Sequence, residues 1–217
     1  MDRIERAICK MIEPLLKQHG FALHKGWGIF VRPKPYGHDA FLVVNKGTAG
    51  VGPRHFEINT PCGIRHGRIE IPWNTLGMVY GEDNQQQTST LVLGFPRGTK
   101  APPLKVMPAT MDEDIARIAT ETECVFTQTA VPFYERFADL RAIEELANKQ
   151  PLADFMPYTV GLAMEDRGMR SLLLAKAVNP QRYAAVRETF IQLDKGMFPR
   201  EKRLQMLQRV DEMVLPE

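Results

Sequence analysis

The eight residues PCGIRHGR, Pro61 to Arg68, place a thiol, an imidazole and two guanidiniums within one short stretch. A cysteine beside such cations ionises readily, and the thiolate is the nucleophilic form, so the stretch has the ingredients of a covalent catalyst. Cys62 and His66 stand four apart in what reads as a turn, where they need not face each other. No third group that would orient the imidazole is in view, and the plainer reading is a structural turn.

A metal site asks for three or four converging ligands. His19, His24, His38, Asp39, His55 and His66 form the pool, but none has HxxxH spacing and no CxxC occurs. The place to look is His38 and Asp39 beside Arg54 and His55, which only an unusual hairpin register would unite. The pattern calls for no metal and no other cofactor. KGTAGVGP shares its glycines with phosphate loops. It lacks the Lys-Ser or Lys-Thr ending and leads into a strand, so it reads as a hairpin turn.

Arg32, Lys34, Arg54, Arg65, Arg68, Arg97 and Lys100 fall at predicted strand ends or turns, with Trp27, Tyr36 and Trp73 interleaved. Gathered at one end of a sheet, they would make a cationic rim with rings for stacking, the chemistry that holds single-stranded nucleic acid. Lysine and arginine at strand edges also discourage edge-to-edge aggregation. No compact recognition motif accompanies the charges, which favours the second role. Arg32, Arg54, His55, Arg65, His66, Arg68 and Trp73 are the binding candidates.

The elements that position these residues follow from hydrophobic periodicity. Ile4, Ala7, Ile8, Met11, Ile12, Leu15 and Leu16 recur at helical steps, with a kink or short 3₁₀ turn expected at Pro14 and a stop at Gly20-Phe21. Short β-type runs follow: GWGIFVR, AFLVVN, RHFEIN, RIEIPW and STLVLGF. Their separators are rich in Gly, Pro, Asn and Asp, and no helix-length pattern intervenes, so the strands read as antiparallel neighbours. From Thr110 the pattern turns helical. Thr110 and Glu113 read as a capping box, Pro132 as a restart, and VPFYERFADLRAIEELANK as one helix. Beyond Pro151, PYTVGLAMEDR, MRSLLLAKAV, PQRYAAVRETFIQLD and PREKRLQMLQRVDEMV read as further helices, the third capped by Asn179-Pro180.

The expected fold is therefore α+β: an antiparallel sheet of about five strands packed by an N-terminal helix, then an all-helical C-terminal part. The expected domains are 1–150, α+β, and 151–217, a helical extension. At 217 residues, 44% hydrophobic and 25% charged, the chain has the composition of an ordinary globular protein. Its net charge of +2 points to no special partner, although residues 1–110 carry +6 and residues 111–217 carry −4. Complementarity between these parts is the first reading of that split, ahead of a weak pull on an anionic partner, because the basic part falls well short of a nucleic-acid footprint.

Three widely spaced cysteines make no disulfide framework, MDRIERAICKMIEPLL lacks the apolar core of a signal peptide, and no run is long enough to span a bilayer. A cytoplasmic protein without membrane association is expected.

LLKQHGF, an IFVR-type strand, a sheet and a later helix carrying PFYERFADL together resemble a group of bacterial proteins known as a domain of unknown function. The resemblance covers about residues 1–150 and implies an α+β fold in a bacterial cytoplasm, with no reaction attached. GMVYGEDNQQQTST is long against that pattern. The function expected is a non-enzymatic protein-binding module of the immunity, antitoxin or adaptor kind, with a protein partner or a second copy of the chain. The alternatives are nucleic-acid binding through the basic rim and a hydrolase or transferase built on Cys62 and His66.

Overall fold

The computed structural model describes residues 1–25, 28–47, 55–76, 85–94, 96–98, 100–149, 158–159, 164–192 and 199–216. Trp27, Arg54 and most of the KGTAGVGP and GMVYGEDNQQQ segments lie outside them. The fold is α+β, with an N-terminal helix, antiparallel strands and a helical C-terminal part. It divides into two compact units, one of Met1–Lys34, His38–Gly63 and Leu93–Glu135, the other of Pro35–Gly37, Ile64–Val92 and Arg136–Glu217.

In the first unit, helix α1 (Arg3–Gln18) runs through Pro14 as one α-helix, without the expected 3₁₀ interruption. Its start is a capping box that the sequence reading missed. Asp2 accepts the Glu5 N–H at 2.8 Å and Glu5 accepts the Asp2 N–H at 2.7 Å. Its end is the expected stop: the Phe21 N–H donates to Leu16 O and the Gly20 N–H to Lys17 O, with Gly20 at φ +80°. Ile4, Ile8, Ile12 and Leu16 form the buried stripe, while Met11 remains exposed.

Strand β1 (Ala22–His24) pairs antiparallel with β2 (Ile29–Lys34), which neighbours β3 (Gly37–Phe41). A second sheet, in the order β4-β5-β8, joins Val44–Asn45, Phe56–Asn59 and Leu104–Val106, all antiparallel. The antiparallel pairing of β4 with β5 agrees with the hairpin expected at KGTAGVGP. Helix α3 (Met111–Val125) packs on α1 and on β8. Thr110 makes no capping bond to its helix, contrary to the expected box. Asp114 takes that role by accepting the Met107 N–H at 2.9 Å and the Thr110 hydroxyl at 2.8 Å. No restart occurs at Pro132 either. A π-helical turn, Phe126–Ala130, carries α3 into α4 (Val131–Phe137), and the Val131 N–H donates to Phe126 O just before the proline removes a donor.

Of the runs expected as strands, GWGIFVR overlaps β2, AFLVVN overlaps β3 and β4, RHFEIN contains β5, and STLVLGF contains β7 (Leu91–Leu93), while the larger sheet, in the order β1-β2-β3-β6-β7-β9, also takes in β1, β6 (Cys62–His66) and the two-residue edge strand β9 (Tyr158–Thr159), which lie outside those runs. Hydrogen bonds from Leu42 N to Pro61 O and from Gly67 N to Tyr36 O bracket β3 and β6 and fix them as antiparallel. CGIRH is thus a strand rather than a turn. RIEIPW, expected as a strand, lies in helix α2 (Gly67–Thr75). Glu70 is fully buried and Ile71 is 58% exposed, the reverse of what period-two alternation would give.

The second unit is built around α6 (Met164–Val178), which packs on α2, α5 (Leu140–Asn148), α7 (Pro180–Ile191) and α8 (Arg200–Glu212). Residues 169–175 are buried without periodicity, as a helix enclosed on all sides must be. The run expected as one helix from Pro132 to Lys149 breaks between α4 and α5, where the Asp139 side chain accepts the Arg141 N–H at 2.9 Å. PYTVGLAMEDR, expected as helical, begins with β9.

Gly37 is the tightest point of this framework. It sits at φ +145°, and a Cβ built there would lie 2.2 Å from the Arg65 carbonyl oxygen, a backbone atom that cannot swing aside. Gly37→Ala should therefore cost about 2 kcal/mol or more, through disfavoured φ and strand separation. A urea-denaturation midpoint unchanged from that of the parent protein would contradict this account.

Candidate functional site

Along β6, successive side chains alternate between faces, so Cys62, Ile64 and His66 share one side and Arg65 takes the other. Cys62 and His66 lie four residues apart on an extended strand, about 13 Å at 3.3 Å per residue, and form no dyad. Burial pushes the Cys62 thiol up to about 12, with Tyr134 as its hydrogen-bonding neighbour, so it holds its proton at neutral pH. Tyr134 donates to Ala40 O at 2.7 Å. His66 stacks on Tyr36, ring centroids 4.5 Å apart, and its Nε2 lies 3.1 Å from Phe137 O. That carbonyl accepts, which fixes the proton on Nε2.

Two of the binding candidates are held by buried carboxylates. Arg32 engages Asp39 through Nε at 2.9 Å and Nη2 at 2.7 Å, and its guanidinium lies over the rings of Phe21 and Tyr134. Asp39 is fully buried. In the second unit, Glu70 accepts Arg170 Nε at 2.8 Å and Nη2 at 2.9 Å in a bidentate pair, while Arg65 Nη1 lies 3.8 Å away. Trp73 closes the cluster, with Arg170 over its ring at 3.7 Å. Arg65 also donates to Thr88 O at 3.2 Å and to the Thr88 hydroxyl. The structure thus unites Arg65 and Trp73 around a residue, Glu70, that periodicity had assigned to a strand.

The remaining candidates are dispersed. Arg68 Nε donates to Pro216 O at 2.9 Å on an exposed surface, and His55 Nε2 lies 3.2 Å from Glu57. Arg54 is outside the described residues. His38 and Asp39 meet no third ligand: among the described residues no group of three His, Cys, Asp or Glu is placed to hold a metal ion.

A concave feature lies elsewhere, on the first unit. A cleft of about 260 Å³ lies against the β4-β5-β8 sheet, between Lys46 just past β4, Glu57 and Asn59 on β5, and a wall of Pro96–Gly98 and Ala101–Pro103. Ile58 and Leu104, directly opposed across β5 and β8, are buried, so Glu57 and Asn59 face outward. Arg97 holds the wall together. Its Nη1 donates to Pro102 O at 2.6 Å and its Nη2 meets Glu121 at 3.1 Å. Sequence periodicity offered no sign of this cleft beyond the prolines of PRGTKAPP, because its two sides are some forty residues apart in the chain.

Both edges of that sheet are closed. Glu5 Oε1 accepts the Asn45 N–H at 2.8 Å and Asp2 Oδ2 accepts Asn45 Nδ2 at 2.5 Å, which blocks β4. Arg117 Nη2 donates to Lys105 O at 3.1 Å, which occupies β8. The capping-box carboxylates therefore guard a strand while closing a helix.

No known family, no curated protein and no solved structure matches this chain. No helix among the described residues is long and apolar enough to cross a membrane.

Glu70 supplies a test of the buried cluster. Burial alone would raise its carboxyl, but the charge and hydrogen bonds of Arg170, with Thr88 and Arg65, hold it below its ordinary 4.5. A depressed folded value contributes stability that is complete above the unfolded value and fades as the pH falls through the folded one. Glu70→Gln should cost about 3 kcal/mol at neutral pH, and the gap to the parent should narrow below pH 4.5. A gap that stays constant down to acid unfolding would show that Glu70 is not the ion pair described. Thiol labelling tests the strand: iodoacetamide should modify exposed Cys124 in the native protein and reach Cys62 and Cys9 only on unfolding. Cys62 reacting at the rate of an unfolded control would overturn its burial.

Proposed function

We propose that this chain is a non-enzymatic protein-binding module of the immunity, antitoxin or adaptor kind, with the cleft over the β4-β5-β8 sheet receiving a segment of the partner. The observation that carries this reading is the cleft itself, a walled depression on the outward face of a sheet whose edges are already occupied by Asp2, Glu5 and Arg117. With the edges occupied, a partner has the face to use. Prolines along the wall limit its backbone freedom, so less entropy is lost when a segment binds.

The other two readings have less behind them. A nucleic-acid rim would draw on Arg32 and Arg65, whose guanidiniums are spent on Asp39 and Glu70 inside the fold. A Cys/His catalyst would draw on a thiol that stays protonated and an imidazole facing a backbone carbonyl.

Ala101→Trp, which places a large ring in the cleft at a half-buried position, separates this function from non-specific adhesion. The parent protein should retain a partner at near-equal amounts from its native cell extract, and the variant should lose it. The same proteins retained by both, or none by either at full recovery, would defeat the proposal.

A further inference from the structure

Helix α2 is held from outside more than by its own sequence. Of its nine residues, GRIEIPWNT, only Arg68 and Glu70 belong to the strong helix formers. Ile69, Ile71, Trp73 and Thr75 are of the types that favour strands, and Pro72 lacks the N–H that would close a bond to Arg68 O. The N-cap, His66, closes β6 in extended geometry, φ −99° and ψ 114°, and its side chain makes no capping bond to the helix. Nine residues are also too few for a helix to persist unaided in water.

Arg170 on α6 supplies a contact that only the helical form allows. Its guanidinium bonds both oxygens of Glu70, at 2.8 and 2.9 Å, and lies 3.7 Å over the Trp73 ring. Residues three apart share a face on a helix and take opposite faces on a strand, so one side chain can hold Glu70 and Trp73 together only in a helix. Ile69 and Trp73 are buried as well, but they are four apart and share a face in either form. Their burial therefore does not choose between the two. At the far end, Arg209 of α8 donates to Thr75 O, a carbonyl that the end of the helix leaves open.

We infer that residues 67–75 are a two-state element, helical while Arg170 holds Glu70 and Trp73 together and extended, as a continuation of β6, when that hold is released. The strand and the helix meet at Gly67, so the change is confined to backbone torsions beyond that joint. Extension sends Ile69, Ile71 and Trp73 to one face and Arg68 and Glu70 to the other, the alternation that RIEIPW carries in its sequence. The device belongs to the second unit and does not depend on the cleft of the first.

Amide hydrogen exchange and backbone carbon shifts of the isotopically labelled full chain test this, with the parent set against Arg170→Lys. Lysine keeps a cation beside Glu70 but has neither the two-pronged bond nor the flat face. The amides of Trp73, Asn74 and Thr75 should exchange about tenfold faster or more, and the shifts of residues 68–75 should move toward strand values. Residues 143–147 of α5 and 4–16 of α1 should keep the parent's rates. Unchanged exchange in α2, an equal rise in α5, or movement toward random-coil values would each overturn the inference. Should Arg170→Lys not fold, Ile71→Ala decides the matter. Ile71 is 58% exposed, so its truncation removes little packing while raising helix propensity and lowering strand propensity. Exchange in α2 should then slow about twofold with α5 unaffected, and a rate equal to the parent's or faster would overturn the inference.

Discussion

A carboxylate inside a protein must keep a cation beside it, and each unit of this chain is organised around one that does. Asp39 and Glu70 are fully buried, and an isolated charge in such surroundings would be too costly to tolerate. Arg32 meets the first through one carboxylate oxygen and Arg170 the second through both, each with its guanidinium over an aromatic ring. The flat cation covers the ring while its edge serves the carboxylate, so one side chain satisfies the charge and fills the core. Such pairs add little net stability compared with hydrophobic substitutes. Their effect is to specify which elements meet: β2 with β3 in the first unit, and α2 with α6 in the second.

The same economy explains why arginines that look reactive in the sequence are structural. Arg32 follows an aromatic strand and precedes Pro33, which gives it the appearance of an exposed tip, yet its side chain turns inward to Asp39 and donates to His19 O at 3.3 Å. Arg65 stands next to His66 in sequence, but strand alternation sends the two to opposite faces. Cys62 is enclosed with Tyr134, where burial also pushes the phenol well above its usual value. Groups with strong intrinsic chemistry have been committed to the interior. Among the described residues, the outward sheet face with its proline wall carries a cleft.

Local signals were legible where local physics decides. The α1 stripe, the stop at Gly20-Phe21, the β4-β5 hairpin and the proline start of α7 all follow from interactions within a few residues. Signals failed where a distant partner decides. RIEIPW alternates like a strand, but Glu70 is drawn inside by an arginine 100 positions away, and that ion pair selects a helix that presents Ile69, Glu70 and Trp73 together. Thr110 and Glu113 have the spacing of a capping box, yet Asp114 binds the same turn first and removes the need for it. The break at Asp139 hides within a continuous apolar periodicity because α4 and α5 both present apolar faces in nearly the same register.

The order of residues was enough to fix the class of the fold, the antiparallel character of its strands and the amphipathic helix that begins it, since these depend on periodicities and turn residues that each segment carries in itself. The tertiary structure alone decided which charges are internal and where a cleft forms. Those outcomes depend on side chains that converge from remote parts of the chain, Arg170 on Glu70 and the prolines near residue 100 on strands near residue 58. No pattern within a short window contains that distance.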